Sequence, residues 1–280
     1  FFLQWPSIRH NRPNRRDLID EGNSMYENIF RMDGKVALLP GGAGGIGQAL
    51  ARGLAEYGAD VVIAGRSLER AQATADSLLS TGRKSLALVV DVTDPESVER
   101  MVRQTMERFG RIDVLVNLPG MNVEAPAEDF PLDQWKKVME LNVTGTFVPC
   151  QAAGRVMIKQ KSGSIINISS VRGQLAIRRG YAAYTPSKAA VNNLTRQLAT
   201  EWAPHNVRVN AVAPTFVETP LVAHMLADEK FRKGLTDRIP LGRVGLPSDV
   251  VGATLFFASP ASSFVTGHIL LVDGGITACQ

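Results

Sequence analysis

The chain has 280 residues, 45% hydrophobic and 21% charged, which is the balance of a globular protein and fits a single large domain. Its net charge of +4 comes from scattered basic residues, which argues against a dedicated nucleic-acid surface. No apolar run approaches the roughly 18 residues of a membrane span, and two cysteines are too few for a disulfide framework. We therefore expect a cytoplasmic protein whose partners include neither a nucleic acid nor a membrane.

Residues 1–32 show no sustained hydrophobic period, and we predict that they form a flexible N-terminal extension. From Lys35 onwards, short apolar runs alternate with segments of helical period. The runs are rich in Val, Ile and Leu, as expected for strands that are buried on both faces of a parallel sheet. In chain order the predicted strands are KVALLP, DVVIAG, SLALVV, IDVLVN, GSIINIS, VRVNAVA and HILLVDGG.

Helices are predicted between successive strands, including a long one over residues 131–160 and another over residues 181–202. Seven strands that alternate with helices predict an α/β fold, a Rossmann-type doubly wound parallel sheet with helices on both faces, in a single domain over residues 33–280. Right-handed crossovers are expected throughout. Residues 215–240 interrupt the alternation and form a candidate substrate lid.

The stretch LLPGGAGGIGQAL, between the first strand and the first helix, predicts a phosphate-binding loop. It contains two glycine registers. Gly42, Gly44 and Gly47 spell G-x-G-x-x-G, whereas Gly41, Gly45 and Gly47 spell the wider G-x-x-x-G-x-G.

A second group of residues indicates proton-transfer chemistry. Tyr184 and Lys188 lie four residues apart on a predicted helix and therefore on one face of it. Ser170 ends a predicted strand, and Asn142 lies in the long helix. A neighbouring ammonium group lowers the pKa of a phenol, and a serine hydroxyl can orient a carbonyl oxygen that the phenol protonates.

These features follow one another in an order that resembles the short-chain dehydrogenase/reductase family over residues 33–280, with the wide glycine register. The resemblance implies that Tyr184 is the general acid/base, Lys188 lowers its pKa and holds the nicotinamide ribose, and Ser170 positions the substrate carbonyl. It also implies that Asn142 orders a water molecule beside Lys188. The remaining cofactor-binding residues that it implies are Gly41, Gly45, Ile46, Gly47, Asp91, Val92, Asn117, Val217 and Thr219.

The chain departs from the family pattern at three places. Pro40 replaces the threonine before the first glycine, residues 117–120 read NLPG instead of NNAG, and Thr215 replaces a glycine. In the family the threonine and the NNAG segment are joined by hydrogen bonds. Because removing both partners of a hydrogen bond can be nearly neutral, we predict that Pro40 and Leu118–Pro119 are a matched replacement that strands no buried polar group.

The end of the second strand selects the nicotinamide cofactor. Gly65 stands where NAD-binding chains carry an acidic residue, and Arg66 follows it. We expect NADP to be preferred over NAD through Arg66, although Gly44 lacks the second basic side chain that many NADP-binding members carry. A solvated Arg66 without a ligand is the alternative.

The substrate is less closely specified. Arg172, Arg178 and Arg179 precede Tyr184 and are either solvated or bind a substrate anion. Several stretches look similar to sugar-acid and polyol enzymes of the gluconate 5-dehydrogenase type, so we expect a keto-gluconate as the substrate. The alternative functions are a 3-oxoacyl-carrier reductase and a non-catalytic NADP-binding regulator. The family resemblance also implies a homotetramer, and the four histidines lack metal-ligand spacing.

Overall fold

The computed structural model describes Tyr26 and residues 28–178, 180–220 and 222–279. Within these residues, seven parallel strands form one sheet in the order β3-β2-β1-β4-β5-β6-β7, which confirms the predicted fold class. None of the described helices is both long and apolar enough to cross a membrane. The strands are β1 Val36–Pro40, β2 Asp60–Gly65, β3 Ser85–Val89, β4 Val114–Asn117, β5 Gly163–Ile168, β6 Val207–Pro214 and β7 Ile269–Val272.

Helices cover both faces of the sheet. One face packs its apolar side chains against α1, α2 and α9, and the other packs against α3, α5 and α6. The central strands are buried along their whole length, as their uninterrupted apolar sequences predict. The helices are α1 Gly45–Glu56, α2 Leu68–Ser77, α3 Pro95–Phe109, α4 Leu132–Met139, α5 Gly145–Gln160, α6 Tyr184–Trp202, α7 Ala223–Leu226, α8 Glu229–Thr236 and α9 Pro247–Ala258.

The crossover from β6 to β7 differs from the prediction. The chain moves in one direction from β4 through β6 to β7, and right-handed connections would place α9 on the face of α5 and α6. Instead α9 packs on α1, where a Cβ atom on Gly53 would lie only 2.4 Å from Val251 Cγ1. The expectation of right-handed crossovers throughout is therefore wrong for this last connection. Residues 215–246 supply the length that carries the chain around the sheet edge.

The predicted helix over residues 131–160 is present but is not uniformly α-helical. A π-helical turn, Glu140–Thr144, joins α4 to α5 and contains Asn142. Such single π turns widen a helix locally and recur at functional sites. Pro149, inside α5, has no N–H to donate to the preceding turn.

The predicted lid has its own small core. It contains α7 and α8, and its buried residues Leu226, Leu235 and Ile239 form, together with Val244, a cluster separate from those on the two faces of the sheet. Val217, near the start of the segment, belongs to the main core and anchors the lid at that end.

The boundary predicted after residue 32 is too late. Met32 is buried in the core beside α1, and its N–H donates to the carbonyl oxygen of Tyr57. Ile29 accepts a hydrogen bond from the N–H of Ala261. The domain therefore includes residues 28–32, whereas the prediction for residues 1–25 and 27 lies outside the described part of the chain.

The ends of β1 and β4 test the prediction that Pro40 and Leu118–Pro119 are a matched replacement that leaves no buried polar group unpaired. Pro40 is the last residue of β1, and its carbonyl oxygen accepts a hydrogen bond from Leu118 N–H at 3.1 Å. Leu38 pairs with Leu115. Pro40 and Asn117 each lie two residues further along their strands, so they stand opposite each other and their side chains are on the same face of the sheet. The Oδ1 atom of Asn117 is buried there without a hydrogen-bond partner, as is the hydroxyl oxygen of Thr215. The prediction that no buried polar group is left unpaired is therefore wrong, because the backbone groups at this place are hydrogen-bonded but the Asn117 side-chain oxygen is not.

We expect a hydroxyl at position 40 to satisfy Asn117. Pro40→Thr places a donor on the side of the sheet where Oδ1 lies, and Pro40→Val supplies the same shape without it. The threonine variant should exceed the valine variant by about 1 kcal/mol in free energy of unfolding, measured by urea denaturation. A threonine variant less stable than the valine variant would show that the hydroxyl itself is left unpaired.

Candidate active site

Backbone crowding around the loop after β1 explains why it is rich in glycine. Gly41 has a φ of +84°, and a Cβ atom on it would lie 3.0 Å from Leu118 Cβ. A Cβ on Gly45 would lie 2.9 Å from Thr219 Cγ2, and one on Gly47 would lie 2.6 Å from the carbonyl oxygen of Gly42. The three glycines of the wide register are therefore sterically required.

The two remaining glycines of the loop differ from each other. A Cβ on Gly44 would meet its nearest atom, the Gly41 carbonyl oxygen, at an ordinary contact distance of 3.5 Å. A Cβ on Gly42 would lie 2.8 Å from the carbonyl oxygen of Leu39. Gly44 is therefore a tolerant position, whereas Gly42 is not and belongs with the required glycines, although the wide register omits it.

Helix α1 begins inside this loop and opens onto a cavity of about 1390 Å³. Its N-terminal residue is capped by no side chain and its first turn carries no acidic residue, so its backbone N–H groups and positive dipole end face the cavity unshielded. A glycine cradle below an uncapped helix N-terminus fits the pyrophosphate of a dinucleotide. The same cavity is lined by residues 90–93, by residues 118–121 and by Thr219 and Pro220.

The carboxyl end of β2 forms one side of the same cavity. A side chain on Gly65 would meet no atom within 4 Å, and Arg66 lies beside this open space. The charge of Arg66 also helps to lower the pKa of Asp91, whose carboxylate mainly accepts hydrogen bonds from the Thr93 hydroxyl and backbone. Arg70, one turn into α2, lines the cavity too, and its guanidinium donates to the carbonyl oxygen of Ala43 at 3.3 Å.

Arg70 was not predicted from the sequence. Its signal was its place in the first turn of a helix that begins at Leu68, just after Arg66, which puts both guanidinium groups near the carboxyl end of β2. Its guanidinium reaches the residue before Gly44, so it places a second positive charge at the part of the loop where the sequence showed none.

The other predicted cofactor residues divide into two groups. Asn117 and Val217 do not line the cavity among the described residues. The Asn117 amide nitrogen donates to Asn167 Oδ1 at 2.9 Å on the buried side of the sheet, so its side chain supports the strand ends, and Val217 is buried where its backbone pairs with Gly245. The predicted residues that do line the cavity are Gly41, Gly45, Ile46, Gly47, Arg66, Asp91, Val92 and Thr219.

Asn142 fixes the loop that follows β4. Its amide oxygen accepts from the Met121 N–H at 2.8 Å, and its amide nitrogen donates to the Met121 carbonyl oxygen at 2.9 Å. The same nitrogen lies 2.9 Å from the Ser187 hydroxyl oxygen, one residue before Lys188. Through the π turn, Asn142 therefore links the cavity floor to the helix that carries Tyr184 and Lys188.

Ser170 and Tyr184 meet at the end of β5. The Ser170 hydroxyl accepts from the Arg172 N–H at 3.1 Å and is hydrogen-bonded to the Tyr184 phenol. Burial raises the pKa of Tyr184, and the Ser170 hydrogen bond and the charge of Arg172 oppose this. The phenol is consequently held in its protonated form at neutral pH in the protein without cofactor.

Lys188 is buried beside this pair. Its Nζ donates to the Ile168 carbonyl oxygen at 2.9 Å and lies 5.8 Å from the centroid of the Tyr184 ring. Burial lowers the pKa of Lys188 to about 8. Ser170 and Arg172 oppose the raised pKa of Tyr184, and the lowering of this pKa by Lys188 stays a prediction.

Residues near Tyr184 border two cavities. On one side, the Lys188 Nζ lies next to Gly120 of the large cavity, 3.4 Å from where a Cβ on that glycine would be. On the other side, Arg172 lines a second cavity of about 760 Å³ between the loop after β5 and α8. Arg178 lines this second cavity as well, whereas Arg179 lies outside the described residues.

No cluster of three or more metal-ligating side chains occurs in the part of the chain that the structure describes. Cys150 is buried and accepts from the Asn117 amide at 3.1 Å, and burial raises its pKa to about 12, so its thiol is inert at neutral pH.

Comparison with known proteins agrees with this geometry. A family model described as enoyl-(acyl carrier protein) reductase matches residues 41–277. A gluconate 5-dehydrogenase of Gluconobacter oxydans is 42% identical over 252 residues, covering 90% of this chain and 98% of that protein. A 5-keto-D-gluconate 5-reductase of Escherichia coli is 38% identical over 249 residues, covering 89% of this chain and 98% of that protein.

Solved structures resemble the whole described domain. A gluconate 5-dehydrogenase from Burkholderia cenocepacia, crystallised in complex with NADP and tartrate, superposes with a TM-score of 0.87 at 40% identity. The match covers 90% of this chain and 99% of that one. Levodione reductase superposes with a TM-score of 0.85 at 31% identity, covering 89% of this chain and all of that one.

The buried Lys188 should make the cofactor-free protein less stable. Burial of its ammonium group destabilises the folded protein. This destabilisation is complete below about pH 8 and disappears as the pH rises towards the ordinary lysine pKa of 10.5. Lys188→Met should therefore raise the free energy of unfolding by about 2 kcal/mol at pH 7 and by less at pH 9.5, measured with urea. Lys84→Met, at an exposed position, is the control and should change the free energy of unfolding little at either pH. A lower free energy of unfolding for Lys188→Met than for the wild-type protein at pH 7 would contradict the expectation.

Proposed function

Because this chain belongs to the short-chain dehydrogenase/reductase family of oxidoreductases, we propose that it interconverts a keto and a hydroxyl group of a sugar acid such as 5-keto-gluconate, with NADP as the preferred cofactor. The observation that carries this proposal is the meeting of Ser170, Tyr184 and Lys188 between a dinucleotide-sized cavity and a second, cation-lined one. Similarity to a gluconate 5-dehydrogenase and a 5-keto-D-gluconate 5-reductase along nearly the whole domain supports the substrate class.

The nicotinamide cofactor, when bound, supplies or accepts the hydride. The tight loop that Gly41, Gly42, Gly45 and Gly47 allow would hold its pyrophosphate on the N-terminus of α1. Asp91 and Val92 line the same cavity and would contact the adenine end. Thr219, which presses against Gly45, would lie at the nicotinamide end together with the buried Val217.

The chain's own residues would handle the proton. In the reductive direction Tyr184 donates its phenolic proton to the substrate carbonyl oxygen while the Ser170 hydroxyl orients that oxygen. The raised pKa of Tyr184 keeps this proton in place at neutral pH. Lys188 would hold the cofactor ribose and favour the phenolate that remains, and the π turn at Asn142 would position the water molecule that returns the proton.

The preference for NADP rests on two guanidinium groups. Arg66 and Arg70 both line the cavity beside the open space at Gly65, where an acidic side chain would have repelled a 2′-phosphate. Guanidinium groups bind phosphate through charge-assisted, often bidentate hydrogen bonds.

We expect Arg66→Ala and Arg70→Ala each to raise the KM for NADP, with Arg66→Ala raising it about tenfold, while the KM for NAD changes less than about twofold. Arg52→Ala, whose guanidinium pairs with Glu56 on the exposed side of α1, is the control. Steady-state kinetics with both cofactors would test the assignment, and an unchanged NADP preference in the double variant would contradict it.

A ketone panel would test the reaction itself. The wild-type protein should reduce 5-keto-gluconate with NADPH far better than acetoacetyl thioesters, the substrates of the alternative 3-oxoacyl-carrier reductase. Tyr184→Phe should lower kcat by about 10²–10⁴-fold and leave the Kd for NADP unchanged, because only the proton donor is removed. Preference for the thioester would favour the alternative, and an absence of turnover with every ketone would revive the non-catalytic regulator.

We also propose a homotetramer in the cytoplasm. Phe264 is 97% exposed, and Leu132, Trp135 and Phe147 on α4 and α5 are exposed as well, which supports burial of these surfaces between subunits. Cys150 and Cys279 are free thiols, which suits a reducing compartment.

A further inference from the structure

The second cavity is lined by an unusual concentration of positive charge. It measures about 760 Å³ and lies between the loop after β5 and helix α8 of the lid. Its walls combine cationic groups with Phe216 and Phe231, whose rings pack edge-to-face with centroids 5.7 Å apart. The four cationic side chains that line it are Arg172, Arg178, Lys230 and Arg238.

These four cations differ from their neighbours in lacking acidic partners. Within the described residues, none of the four forms an ion pair, whereas Arg232 pairs with Glu218 and Lys233 pairs with Asp237. Lys230 and Gly234 lie one turn apart on α8, and Arg238 lies two residues after its end. The cations of the lid that line the cavity are therefore uncompensated, whereas Arg232 and Lys233, which do not line it, are paired.

Arg172 provides the fixed part of the site. Only 5% of its surface is exposed, and its guanidinium donates to the Ala176 carbonyl oxygen at 3.2 Å, so its position is set by the loop. Burial lowers the pKa of Arg172, and the charge of Arg238 lowers it further, as expected for two like charges that lie near each other. An anion bound between them would relieve this repulsion.

We propose that this cavity binds the carboxylate of the substrate, between Arg172 of the loop and Lys230 and Arg238 of the lid, while the keto group lies at Tyr184. This rests on the proposed function and specifies what selects a sugar acid over an uncharged polyol. Arg172 lines the cavity and its backbone N–H donates to the Ser170 hydroxyl at 3.1 Å, so the cavity borders the residue that would orient the keto group.

The carboxylate also has a mechanical role in this arrangement. Because Arg172 belongs to the main domain and Lys230 and Arg238 to the lid, an anion between them ties the lid down over the keto group. An uncharged substrate of the same size lacks this tie, so its KM should be higher.

Gly234 gives the sharpest test. It lies between Lys230 and Arg238, lines the cavity, and a side chain on it would meet no atom within 4 Å. Gly234→Asp places a carboxylate among the cations, and Gly234→Asn adds nearly the same shape without charge. With NADPH and 5-keto-gluconate, the KM should rise about tenfold in the aspartate variant and less than about twofold in the asparagine variant. The inhibition constant of tartrate should rise in parallel.

Two further variants test whether the change in KM is confined to residues that line the cavity. Arg238→Gln should raise the KM for 5-keto-gluconate about tenfold, whereas Lys233→Gln, on the outward face, should leave it unchanged. An unchanged Kd for NADPH in all four variants verifies that the fold is intact. If the wild-type protein reduces 5-keto-gluconate but aspartate and asparagine at position 234 give equal KM values, the carboxylate site is refuted and the proposed function stands. If the wild-type protein reduces no sugar acid, both are refuted.

Discussion

The close approach of two backbones at the carboxyl ends of β1 and β4 is the constraint on which the site depends. Gly41 turns there with a positive φ, and only a hydrogen fits between it and Leu118. The strand order reverses at this point, so the connecting helices leave on opposite faces of the sheet and a crevice opens between them. The glycine loop, the uncapped N-terminus of α1 and the residues after β4 all line that crevice.

Polar groups beneath the crevice are buried at a cost to stability. Lys188 holds its charge against burial with one carbonyl oxygen as its partner, and Asn117 keeps an amide oxygen without any partner. Asn142, in contrast, uses both ends of its amide on Met121. The support at Asn142 is thus fully hydrogen-bonded, whereas Lys188 and Asn117 carry the cost of burial, and buried groups with a strongly shifted pKa are common at functional sites.

The two cavities divide recognition between the sheet and the lid. The large cavity is built on strand ends and helix termini, whose positions are fixed by the buried core. The second cavity is closed by α8, whose small apolar cluster is separate from that core. In the proposed function the cofactor would meet a surface built on the main core, and the substrate would lie between one wall on the main domain and one on the lid.

Hydrophobic period along the chain predicts the seven strands and the helices between them, because buried strands and amphipathic helices leave a repeating apolar pattern. The wide glycine register and the grouping of Ser170 with Tyr184 and Lys188 come instead from the resemblance to the family, because no spacing rule joins these residues. Tertiary contacts were needed to place α9 on its side of the sheet, to bury Met32, to require glycine at position 42 and to leave the Asn117 oxygen unpaired. They also bring Arg70 to the glycine loop and place unpaired cations of the lid near Arg172. Each of these depends on contacts between residues far apart in the chain, and the packing of one element against another leaves no periodic signal in either.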